Sequence, residues 1–391
     1  MDDIIVQIRA LASGADAAGR AKLQNALREV LSELESPRDF LVQLFNAHLN
    51  IATVRLAIDL GLFKLLSSQR QEWYVEEMAE KLGASPQVLE RIVRYLASTG
   101  IIGEDGPGIF RANKITHILS DQKAEAFVHH AFDICGPALQ AFPDFFRETK
   151  YADITSNTST PFQKAFDTDL TSFAWISQHP EHLDAMQQVM TAFRSSEWFA
   201  DFELFEKEAL ATVQGSRRVF FVDVGGGHGH QCIEVRNKFP NLEGQLVLQD
   251  LPEVFDGLAD IPGVKIEACD FFRPQTVKGA KYYYLRRILH DWPDSLCVKI
   301  LQRLRYAMAS DSKILIDEIV LPGSKIPWQS AMADLMMMIT MGGKERSKEQ
   351  WIGLVEQSGL QVEHIHKYDG ESIFNSVVVL GLDQISLRPS R

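Results

Sequence analysis

The chain has 391 residues, 46% of them hydrophobic, and a formal net charge of −12; that is more chain than one core usually organises, so two domains are expected. The negative charge is spread along the sequence, which disfavours nucleic acid and anionic membrane surfaces as partners and suits a small molecule. Four cysteines (Cys135, Cys232, Cys269, Cys297) lack the spacing of a zinc site or the density of a secreted disulfide scaffold, and no charged leader or apolar stretch near the ~20 residues of a membrane span is evident, so a cytoplasmic protein is expected.

Apolar residues recur at helical spacing from Asp2 to Leu34 (Ile5, Ile8, Leu11, then Leu23, Leu27, Leu31), and Pro37 closes that segment. From Phe40 to Leu66 the run is apolar on nearly every face, so its helix needs cover all round, in part from a second subunit. Tyr74 to Thr116 has the pattern of a winged-helix unit: a helix stopping at Gly83, a second capped by Ser85 and ending at Gly100, then a hairpin around Asp105-Gly106. Glu90 beside Arg91 and Arg94, in an acidic chain, argues for packing and dimerisation rather than DNA binding.

Between Asp121 and Glu208 lie helices rich in aromatics and methionine, among them Phe173, Trp175, Met186 and Met190. Such a density suits a core and equally the wall of an apolar ligand pocket. His129 also falls there, as a candidate substrate contact. From Arg217 short apolar strands alternate with helices, the grammar of a Rossmann-like doubly wound α/β domain with its ligand at the carboxyl ends of the strands. The expected division is 1–120, a helical and winged-helix dimerisation domain; 121–209, a helical linker lining the substrate pocket; and 210–391, the α/β catalytic domain.

Val222 to Gly229 reads VDVGGGHG, with Asp223 at a strand end and Gly225, Gly227 and Gly229 on alternate positions. Such a turn alone is shared by NAD, FAD and S-adenosylmethionine (SAM) sites. Asp223 would repel a pyrophosphate but suits an ammonium group. Asp250, about twenty residues on, suits a ribose diol, and Asp270 beside Phe271 suits an adenine. Three acids on successive strand ends point to an adenosine-type cofactor, and Asp223 favours SAM over NAD.

After the fourth strand comes Leu289-His290-Asp291-Trp292. Methyl transfer from a sulfonium is a displacement, and a phenol is a poor nucleophile until its proton leaves, so a neutral imidazole is the group that chemistry asks for. Glu318, ending KILIDE, and Glu345 after Gly342-Gly343-Lys344 are the carboxylates placed to orient it. The histidine pairs 228/230 and 364/366 lack ligand partners at chelating spacing, so no metal site is expected.

These motifs, with Asp250-Leu251-Pro252, Asp270-Phe271-Phe272 and Gly342 to Arg346, resemble the plant-type, metal-independent O-methyltransferase family over about Pro37 to Leu382, particularly its fungal secondary-metabolite branch. The resemblance implies a swapped helical homodimer, SAM held by Gly225, Gly227, Asp250, Leu251, Asp270 and Phe271 with Arg286 near the cofactor, and His290 as base assisted by Glu318 and Glu345. Asp291 and Met336 then fall beside the acceptor. Thr340 stands where plant members acting on phenylpropanoids often carry asparagine, so their acceptor does not carry over. The branch also contains pericyclases that keep the fold and SAM but replace the histidine with Arg or Lys; for that chemistry Phe40, His129 and Arg194 would line the pocket, whereas retention of His290, Glu318 and Glu345 implies methyl transfer.

Overall fold

The computed structural model describes residues 2–68, 72–192, 198–213, 215–368 and 375–383. They form two compact units: 22–143 with 162–194, and 1–21, 144–161 and 195–391. The segment 121–209 is thus divided between both.

In the first unit the helix Pro37–Asp59 starts on a full capping box: Ser36 accepts from the Asp39 amide while Asp39 accepts from the Ser36 amide. Pro37 therefore opens this helix rather than merely closing the previous one. Val54, Ala57 and Ile58 are buried, but Phe40, Leu41, Val42, Leu44, Phe45 and Leu49 face outward. By length and composition this helix would pass as a membrane span, with 17% of its most apolar window buried; the sequence reading found no such stretch because it required an unbroken apolar run.

The winged-helix unit has strands β1 (Trp73–Tyr74), β2 (Gly103–Gly106) and β3 (Ile109–Arg111) in the order β1-β3-β2, with helices Val75–Leu82 and Pro86–Ser98 between β1 and β2. Gly83 ends the first helix at φ 65°. Ser85 stands at the N-cap without a side-chain cap bond, its hydroxyl going to Gln87. The hairpin reverses at Pro107-Gly108, two residues beyond the expected Asp105-Gly106.

The second unit carries a Rossmann-like sheet. Its strands are β4 (Phe221–Val224), β5 (Leu246–Asp250), β6 (Val264–Ala268), β7 (Tyr282–Arg286), β8 (Lys313–Leu321), the short β9 (Arg346–Ser347), β10 (Leu360–Lys367) and β11 (Asn375–Leu382). They run β10-β11-β8-β7-β4-β5-β6, β9 pairing with β8; β4 to β8 are parallel, β10 and β11 antiparallel. Alternate residues feed two cores, Val222, Tyr283, Leu285, Ile314 and Ile316 on one face, Phe221, Tyr282, Tyr284, Leu315 and Leu248 on the other. Burial on both faces is what near-continuous apolar strands demand, each such side chain contributing ~1.5–3 kcal/mol.

Candidate active site

β4 runs straight into the glycine turn, where Gly225, Gly227 and Gly229 take φ of 72°, 57° and 75°. Gly226, which the alternate-glycine reading passed over, is the tightest: a β-carbon there would lie 2.4 Å from the Asp223 carboxyl carbon and 2.6 Å from Leu248. Asp223 is therefore buried directly under the turn. Asp250, at the end of β5, accepts the Gly227 amide at 2.8 Å on one oxygen and the Leu251 amide at 2.8 Å on the other. It holds the turn to the sheet, and burial raises its pKa. Asp270 accepts the Phe272 amide at 2.8 Å, and the Phe271 ring flanks Gly225, 3.6 Å from where its β-carbon would be. A backbone cradle bordered by two acids and an aromatic edge fits an adenosyl ligand. Gly226→Ala is accordingly expected to weaken SAM binding at least ~10-fold through displacement of the turn; isothermal calorimetry on the folded variant checks this, and wild-type affinity would contradict it.

Arg286, at the end of β7, is paired in register with Asp317 of β8, and its guanidinium lies 3.3 Å from the Asp317 carboxylate. Asp317 also accepts the hydroxyls of Tyr284 (2.5 Å) and Tyr368 (2.6 Å). The buried Arg286 charge is thereby neutralised within the sheet.

The catalytic candidates converge. His290 Nδ1 lies 2.9 Å from Glu345 Oε1 and 3.7 Å from Glu318 Oε2, and its Nε2 lies 3.5 Å from Asp291 Oδ1. Glu318 sits within β8 rather than ending it, since the strand continues to Leu321. Its Oε1 accepts the amides of Ile288 (3.0 Å), Leu289 (3.0 Å) and His290 (3.4 Å), which aims the histidine turn. Glu345 is delivered by pairing of β9 with β8, Arg346 opposite Val320, and its amide donates to Asp334 at 2.9 Å. Arg346, fully buried, donates to the carbonyls of Leu289 and Trp292 and to Asp294, tying the two loops together.

Burial alone would drive the proton off His290, but Glu318, Asp291 and Glu345 outweigh it and raise its pKa to about 10. Burial, reinforced by Glu318 and Glu345 against the opposing pull of His290, lifts Asp291 to about 7. Burial also raises Glu318, whereas Glu345 is lowered because His290 offsets its burial. The carboxylates around His290 thus favour the protonated ring, against the neutral imidazole that proton abstraction calls for. Donor atoms of His290, Glu318 and Glu345 lie within 4.8 Å of one another; the direct Nδ1–Glu345 hydrogen bond and the three amides on Glu318 make the set a proton-holding cluster.

The substrate candidates divide between the units. Met336 and Thr340 lie on the helix Trp328–Thr340 that leads to the glycine pair, and the Thr340 hydroxyl donates back to the Met336 carbonyl at 2.6 Å. In the other unit Trp175 stacks on His179 at 3.7 Å, Met186 is buried, Phe173 partly so, and Phe40 and Met190 are exposed. His129 faces Asp133 at 3.3 Å where the helix passes into a π-turn, His130–Cys135. Arg194 lies outside the described residues. Sequence reading gave no role to Asp317, Arg287, Asp334 or Arg346; for Asp317 and Arg287 a charge inside or bordering an otherwise apolar strand was the available signal, whereas Asp334 lies in the helix Trp328–Thr340 and Arg346 in the two-residue β9.

Residues 147–361 match the profile of the O-methyltransferase domain and residues 42–120 that of the O-methyltransferase dimerisation domain. Demethylsterigmatocystin 6-O-methyltransferase of Aspergillus flavus is 39% identical, covering 95% of this chain and 96% of the relative. The O-methyltransferase lepI of the same organism is 37% identical over 96% and 97%. The structure of LepI with SAM superimposes with a TM-score of 0.91 at 36% identity, over 98% of both chains; the same figures of score and identity hold for a structure described as a pericyclic reaction enzyme. OxaC with S-adenosylhomocysteine and oxaline shares the fold, with a TM-score of 0.84 at 22% identity over 97% and 98%.

Proposed function

The chain belongs to the O-methyltransferase family, a SAM-dependent one, and from that premise we propose that it methylates a hydroxyl of an aromatic or polyketide-derived small molecule in secondary metabolism, with His290 as the proton acceptor. The observation that carries this is the His290–Glu345 hydrogen bond of 2.9 Å, which fixes Nδ1 as the protonated nitrogen and leaves Nε2 for the acceptor. SAM, when bound, supplies the methyl group on its sulfonium. Gly225, Gly227, Asp250 and Phe271 would hold it; Glu318 and Glu345 hold the ring and balance its charge. The chain works as a homodimer, supported by the outward apolar residues of the helix Pro37–Asp59 inside the segment that matches the dimerisation profile. Four free thiols fit the cytoplasm, and a small molecule, rather than nucleic acid or membrane, is the partner such a site serves. Incubation with SAM and a panel of phenolic polyketides, read by mass spectrometry, tests this: methylated product and S-adenosylhomocysteine should appear in equal amounts.

The second reading is a SAM-bound pericyclase. It is supported by the likeness to a structure described as a pericyclic reaction enzyme and by the raised pKa of His290, since a fixed cationic donor stabilises developing oxyanion charge. In that case product forms and no S-adenosylhomocysteine accumulates.

For methyl transfer the sign of the pH dependence follows from the raised pKa. A base whose proton is held to about 10 gains active form as pH rises, so kcat/KM climbs through pH 7–9 instead of levelling just above 6.5. Glu345→Gln removes one of the charges holding the proton and moves that rise to lower pH. A profile already flat at pH 7.5 in the wild type contradicts the assignment.

A further inference from the structure

We propose that Arg287 is a positioning residue that sets the proton affinity of His290 by competing with it for the same carboxylate oxygen of Glu345. Its Nη1 lies 3.7 Å from Glu345 Oε1, the atom that accepts the His290 Nδ1 proton at 2.9 Å. One oxygen thus faces two cations, and whatever it gives to one it withholds from the other.

The backbone makes this placement deliberate. Arg287 follows the end of β7 at φ 54°, in the left-handed region that a side chain with a β-carbon avoids. In that conformation its amide reaches the Asp317 carbonyl at 3.2 Å, and its guanidinium donates to Asn375 at the start of β11. The turn and Asn375 together place the charge beside Glu345, with Glu318 and Asp317 also acting on it.

The charges around His290 can be taken element by element. Asp291 lies on its own turn, Glu318 on β8, and Glu345 on the loop before β9. Asp334, on the helix Trp328–Thr340, accepts the Glu345 amide. On the positive side Arg346 and Lys344 both serve Asp294, Arg346 also binding the Leu289 and Trp292 carbonyls. Arg287 is therefore the cation among them that an ion pair joins directly to the oxygen binding His290. Three carboxylates hold the imidazole proton; Arg287 draws on one of them and so limits that hold without touching the reacting groups.

This inference rests on the methyl-transfer reading for its consequence, but its test does not. The His290 ring, in the ligand-free full chain labelled with ¹⁵N-histidine and assigned by its loss in His290→Gln, is titrated by NMR. In Arg287→Gln its pKa should rise by roughly one unit, and in Arg287→Lys it should return to within ~0.3 unit of wild type. The onset of kcat/KM with pH should move up by the same amount, with KM for SAM unchanged. A His290 pKa unmoved or lowered in Arg287→Gln overturns the proposal, whether or not the protein methylates the substrates tried. If Arg287→Gln does not fold, Asn375→Ala keeps the charge but frees it; a smaller rise then supports the proposal and no rise overturns it.

Discussion

His290→Ala is expected to lower kcat/KM for methyl transfer by ~10²–10⁴, the usual contribution of a positioned general base, while SAM affinity by calorimetry changes by less than ~3-fold. The split follows from geometry: the ring faces Glu345, Glu318 and Asp291, whereas the cradle proposed for the cofactor is the turn after β4 with the acid that ends β5 and the acid that follows β6. Removal of the ring also leaves three buried carboxylates without their shared cation, which costs stability as well. Thermal unfolding must therefore accompany the kinetics, with His290→Gln, which keeps a donor, as the control. Activity within threefold of wild type in a folded His290→Ala would remove this residue from the chemistry.

Gly343→Ala should be nearly as damaging, although residue 343 contributes no chemical group. A β-carbon there would lie 1.8 Å from the His290 carbonyl oxygen, the atom that accepts the Lys344 amide at 2.9 Å. Two backbone segments touch, so no flexible side chain can yield. One loop must move, and Glu345 sits two residues further along the loop that would have to move. The overlap is expected to cost ~1–3 kcal/mol or more and to lower Tm by several degrees. At temperatures where the variant remains folded, kcat/KM should still fall at least ~10-fold through withdrawal of Glu345, since a misplacement of about 1 Å suffices for such losses. Unchanged kinetics with lowered Tm would show that the glycine serves folding alone.

The strands of the catalytic unit, their parallel order and the acids on their carboxyl ends were legible because buried parallel strands announce themselves as apolar runs ending in turns. The trio His290, Glu318 and Glu345 was legible as three separate motifs, and the structure brings them into contact. What the sequence hid was pairing across it. Gly226 and Gly343 look interchangeable with their glycine neighbours, yet one is pressed on Asp223 and the other on a carbonyl 53 residues away. The sequence reading gave His290 two orienting acids, whereas three acids surround it in space and raise its pKa. Arg287 and Asp317 depend on strand register and on a left-handed turn that no local pattern signals. The helix Pro37–Asp59 was read correctly as over-apolar, but Ser36 and Asp39 show that it begins where a boundary was drawn.

The most direct test of the account gives the protein SAM labelled with a deuterated methyl group together with a phenolic polyketide acceptor, and follows the label by mass spectrometry. The account predicts one CD₃ group on an oxygen of the product for each S-adenosylhomocysteine released, with transfer nearly abolished in His290→Ala. A product whose structure changes while it carries no label and SAM stays intact would contradict it.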